Sequence, residues 1–93
     1  MTPLRGRIAS GEPEALALRM AKHFGHKVPI EERDGRTRIT IGAGAFELAP
    51  APGELELVLE PESDETLPRL REVALSHLER FARGAPVDVV WDD

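Results

Sequence analysis

Ninety-three residues are enough for one domain with one core, and the chain is read as a single domain over residues 1–93. Apolar residues make up 41% and charged residues 31%, a balance expected of a folded globular chain and not of a disordered one. There are no cysteines, which excludes disulfides, thiolate chemistry and cysteine-based metal sites, and the net charge of −5 argues against a nucleic-acid-binding face.

Leu4, Gly6 and Ile8 alternate with Arg5 and Arg7, which predicts a strand with one wet face. Pro13 then suits a first helical turn. From Glu14 to Phe24 the residues Leu16, Ala17, Met20, Ala21 and Phe24 fall on one side of a helix, and Gly25 is a natural stop. HKVPIEE reads as a strand with His26, Val28 and Ile30 on one face, and Pro29 marks it as an edge or an irregular start.

Asp34-Gly35 is the strongest local signal, a two-residue type I′ hairpin turn. RTRITI (36–41) follows, with Ile39 and Ile41 inward. GAG (42–44) turns into AFELA (45–49), and PAPG (50–53) turns into ELELVLE (54–60). Leu55, Leu57 and Leu59 face the core there. Glu54, Glu56 and Glu60 face away and are expected to pair with Arg36 and Arg38.

The second helix is expected to start near residue 64 or 65, capped by Ser63 or Asp64, with Pro68 in its first turn. Leu67, Leu70, Val73, Ala74, Leu78 and Phe81 form its stripe, and Gly84 lies just beyond its end. Val87, Val89 and Trp91 then share one face of a last strand. The order is β-α-β-β-β-β-α-β. Both helices can bury their stripes only on the apolar sheet face, so the expected fold is an α+β two-layer sandwich, mainly antiparallel. No apolar run is long enough to span a membrane and the N-terminal residues do not read as a signal peptide, so the expectation is a cytoplasmic protein.

GRI near the start, KHFGHKVPIE, GRTRI, FEL, HLERFA and the terminal V-x-V-x-W pattern resemble the bacterial domain of unknown function 2218 family, over roughly residues 6–91. The resemblance implies a small accessory domain with no established activity. It also implies an iron context, because similar domains occur fused to siderophore-interacting, flavin-dependent reductases. A siderophore-related reductase or a small ligand is therefore an expected partner, and nucleic acid and membrane are not.

His23, His26 and His77 are the candidate metal ligands, since neutral imidazole binds zinc, iron and copper. Counting hairpins puts His23 and His26 at one end of the sheet. His77 would lie about 20 Å above them, at about 1.5 Å per helical residue. That argues against a three-histidine site within one chain, and leaves His23 and His26 as a pair that a dimer could complete. The competing reading is packing: His23 at a helix C-terminus, His26 bonded inward, His77 on the rim of an apolar stripe. No catalytic residues are assigned and no cofactor is expected. GAGAF joins two strands and has no helix N-terminus for a phosphate. The small residues Gly6, Ala17, Ala21 and Ala74 either leave a pocket between the layers or allow close packing. Strands near Pro29 or Trp91 at a sheet edge offer a route to a homodimer.

Overall fold

A computed structural model describes residues 3–92. Its elements are β1 (Leu4–Ala9), α1 (Pro13–Phe24), β2 (Ile30–Arg33), β3 (Arg36–Ile41), β4 (Gly44–Ala51), β5 (Glu54–Pro61), α2 (Leu67–Phe81) and β6 (Val89–Trp91). The six strands form one antiparallel sheet in the order β2-β3-β4-β5-β1-β6. The expected element order and α+β class hold. Three hairpins build β2 to β5 from adjacent strands. β1 then pairs with β5 and also accepts β6, so the chain's two ends lie side by side.

The hairpin at Asp34-Gly35 has positive φ at both positions, 52° and 77°, as a type I′ turn requires. Gly35 takes this conformation without strain, and Asp is among the residues that tolerate it. The other two turns are shorter than the sequence suggests. β4 extends from Gly44 through Ala51, so the turns shrink to Gly42-Ala43 and Pro52-Gly53. The ladder reaches to the turns because each added pair satisfies backbone groups that a loop would leave to water.

Three element starts also differ, the last being β6, which begins at Val89 and leaves Val87 in the connector before it. β2 begins at Ile30, not at His26, because Val28 N–H donates to the Phe24 carbonyl at 2.9 Å and closes a turn there. His26 is exposed in that turn and does not point inward. α2 begins at Leu67, with Thr66 as its cap residue. Thr66 Oγ1 accepts Ser63 N–H and donates to the Ser63 carbonyl, both at 3.0 Å, so residues 63–66 close their own turn before the helix starts. Pro68 is still within the first turn, as a missing N–H demands.

The core lies between the helices and one sheet face. Ile8, Met20, Ile39, Phe46, Leu48, Leu55, Leu57, Leu59, Leu70 and Leu78 are all fully buried. Phe24 meets Phe46 edge to face at 5.6 Å, which ties the end of α1 to β4. At Gly6 a Cβ would sit 2.5 Å from Val89 Cγ1 and 2.8 Å from Trp91 Cε3. The bare backbone is what lets β6 lay those two side chains over β1. Ala17 and Ala74 are buried as well, so the small residues serve close packing.

The other sheet face has no helix over it. Arg38 reaches Glu60 at 2.7 Å and Glu47 at 3.1 Å, and Arg36 lies 2.8 Å from Glu56 and 3.7 Å from Glu47. Of the three expected partners, Glu56 pairs with Arg36 and Glu60 with Arg38, with Glu47 between them, while Glu54 makes no ion pair among the described residues. Beneath these groups Val58 and Ala45 are almost fully buried, which fits the apolar stems of arginine lying across them.

Candidate functional site

A cleft of about 490 Å³ opens at the N-terminal end of α1. That volume lies within the range of small-molecule sites. Its floor is apolar: Ile8 at the end of β1, Leu16 on α1, and Ala82, Pro86 and Val87 from the connector between α2 and β6. Its rim is polar, with Ser10, Glu12, Arg19 and Asp88.

The local sequence builds this shape directly. Gly11 and Pro13 turn the chain sharply from β1 into α1. Arg83 and Gly84 both have positive φ, 54° and 89°, which ends α2 and swings the connector outward. The cleft is the gap between those two turns.

Arg19 fixes its wall. One guanidinium nitrogen, Nη1, donates to Glu12 Oε1 at 3.1 Å and to the Phe81 carbonyl at 3.1 Å, and Nη2 donates to Glu12 Oε2 at 3.2 Å. This two-pronged contact holds the Glu12 carboxyl below its ordinary value of 4.5, through hydrogen bonding first and charge second. Ser10 Oγ accepts the Glu12 N–H at 3.1 Å. The Glu12 carboxylate is therefore tied to Arg19, while Ser10 Oγ accepts a backbone N–H and keeps its own O–H to donate.

The histidines lie at the other end of α1. The His23 and His77 ring centroids are 4.9 Å apart, and each ring also packs on Phe24, at 5.0 and 4.7 Å. This overturns the separation expected from counting hairpins. The strand directions were counted correctly, but the two helices are staggered. Arg19 meets Phe81 and His23 meets His77, so α2 runs antiparallel to α1 and its first ten residues extend past the end of α1. The climb expected along α2 is real, and it is consumed in reaching the level at which α1 ends.

His77 Nδ1 lies 2.7 Å from the Val73 carbonyl, so that nitrogen donates and Nε2 is left free. Partial burial, then the charges of His77, Lys27, Arg80 and His26, push the His23 pKa below its ordinary value of 6.5. His26 sits on the exposed turn. Among the described residues no group of three or more histidine, aspartate or glutamate side chains has the arrangement to hold a metal ion. The structure thus brings His23 and His77 together as a pair.

Sequence reasoning missed the cleft. Its only visible trace was SGEP and an arginine beside the apolar stripe of a helix. Glu12 and Arg19 are seven residues apart, beyond the neighbour spacings that helix periodicity makes readable.

The family profile described as an uncharacterized protein conserved in bacteria, DUF2218, matches residues 5–92. The chain belongs to this family. The solved NMR structure of PA4090 from Pseudomonas aeruginosa is similar in fold, with a TM-score of 0.78 at 24% identity, covering 99% of this chain and 96% of that one. No curated protein matches. The fold of this DUF2218 domain is thus shared with that solved structure. No helix among its described residues is long and apolar enough to cross a membrane.

Proposed function

We propose that this DUF2218 domain is a non-catalytic binding module that takes a small ligand into the cleft between the start of α1 and the α2–β6 connector. One observation carries the reading: the cleft joins an apolar floor to a rim bearing Arg19, Ser10 and Asp88. An apolar body would lie on Ile8, Leu16 and Val87, and a polar or anionic end would meet the rim. The resemblance to domains fused to siderophore-interacting reductases supports ferric siderophores as the first ligand class to try.

The test is an amide NMR titration with ferric hydroxamate and catecholate siderophores, haem and a medium-chain fatty acid. Saturable shifts at Ser10, Gly11, Leu16 and Val87 are expected with at least one of them. Ala85→Trp, at an exposed position on the cleft, should block those shifts without unfolding the domain. Shifts confined to the sheet face, or none with any ligand, would remove the cleft as the site. Turnover of a bound siderophore would overturn the non-catalytic part of the reading.

A further inference from the structure

Three histidines, a lysine and an arginine gather where α1 ends against α2. His23 and His77 stand 4.9 Å apart, with Phe81 closing a third side at 5.3 Å from His23. The charges acting on His23 are His77 and Arg80 from α2, and Lys27 and His26 from the turn after α1. The sheet beneath contributes Phe46, which has no charge and reaches this cluster through Phe24. None of these five groups makes an ion pair among the described residues. In a chain of net charge −5, Lys27 and Arg80 thus place two unpaired cations beside the two imidazoles.

Two kinds of ligand could use two adjacent imidazoles. A divalent cation would find only this pair, with Lys27 and Arg80 repelling it. An oxyanion would find ring N–H donors and two fixed positive charges. His77 Nδ1 is already donating to Val73, so its Nε2 becomes a second donor when the ring is protonated. The phenyl rings of Phe24 and Phe81 limit water on the buried side, which strengthens the charge-assisted hydrogen bonds formed there.

We propose that the junction of α1 and α2 binds an oxyanion, a phosphate or carboxylate group, between His23 and His77, with Lys27 and Arg80 as the outer charges. This site is separate from the cleft and does not depend on it. An arriving oxyanion favours the protonated form of the imidazoles beside it, so binding takes up a proton. Affinity is therefore higher at pH 6 than at pH 8.

The experiment is a histidine-ring NMR titration of the full chain with inorganic phosphate and, separately, citrate, each matched in ionic strength by sodium chloride. The two arms distinguish phosphate from carboxylate as the preferred group. Saturable shifts of the His23 and His77 rings are expected, with the His23 midpoint rising by about one unit and affinity falling about tenfold from pH 6 to pH 8. Lys27 and Arg80 are exposed. The double variant Lys27→Gln/Arg80→Gln should keep the wild-type unfolding temperature and lose at least about tenfold in affinity, since rim charges act with little effect on packing. Equal responses to chloride and phosphate, or unchanged affinity in the double variant, would overturn the proposal. So would zinc binding at this pair that tightens as the pH rises, which would identify a metal site instead.

Discussion

Arg19, in the middle of α1, donates a hydrogen bond to the carbonyl of Phe81, the last residue of α2, at 3.1 Å. A side chain of one helix thereby satisfies a terminal carbonyl of the other. The same guanidinium grips Glu12, so a single residue joins the first helix, the turn before it and the end of the second helix.

Replacing Arg19 by alanine should cost about 1–2 kcal/mol, since it removes a charged hydrogen bond to a partly buried carbonyl. Glu12→Gln should cost less, because the Phe81 contact survives. Urea unfolding of both variants checks the order. Equal losses would mean that the Phe81 contact contributes nothing.

Stability in acid should depend on Arg38 and Glu60. The Arg38 hydrogen bond, outweighing the opposing effect of burial, holds the Glu60 carboxyl below its ordinary value of 4.5. A carboxyl depressed in the folded state stabilises above its unfolded value, and that contribution fades as pH falls through the folded value. Wild type should therefore lose stability below about pH 4.5 more steeply than Glu60→Gln. Both groups are partly exposed, so the difference should be modest and shrink in high salt. Urea midpoints between pH 3 and pH 7 measure it.

His23 works in the same direction at higher pH. Its folded value lies below 6.5, so the unfolded chain takes up the proton first as pH falls through that range. Stability from this residue is full above about pH 6.5 and declines below it. His23→Phe should remove that decline between pH 7 and pH 5. A variant that keeps the wild-type slope would show that another group is responsible.

Gly6→Ala should destabilise by about 1–3 kcal/mol, the usual cost of forcing a methyl into a filled space. The new Cβ would displace Val89 and Trp91. Trp91 is the sole tryptophan, so its fluorescence should change in the folded state as well as on unfolding. An unchanged spectrum would mean that β6 absorbs the methyl elsewhere.

Phe46→Ala should cost about 3–5 kcal/mol, because the ring is fully buried and a cavity would remain between α1 and the sheet. Val90→Ala, at a residue 61% exposed, should fall within about 0.5 kcal/mol of wild type. Thermal unfolding distinguishes the two.

Much of the fold was legible because its signals are local. Alternation at Leu55, Leu57 and Leu59 marked the buried face of β5, and Asp34-Gly35 fixed a hairpin by its φ requirements alone. The start of α2 was misplaced because Thr66 and Ser63 bond to each other, a contact no periodicity reports. His26 was misplaced because alternation was carried back through Pro29 into residues that in fact form a turn. The cleft was invisible for a related reason: its walls come from residues 8–19 and 82–88, distant in sequence, and its shape depends on where two turns happen to point.

The sequence by itself determined the order of elements, the apolar face of each and the charged face that Arg36, Arg38, Glu56 and Glu60 share. These follow from side-chain period and from backbone restrictions at glycine and proline, which act over a few residues. Only the tertiary structure decided that β1 lies between β5 and β6, that the cleft exists, and that His23 touches His77. The last depends on the stagger of one helix along another. That stagger is set by how Phe24, Leu70, Ala74 and Leu78 pack on the sheet, and packing is a property of the whole core that no single segment encodes.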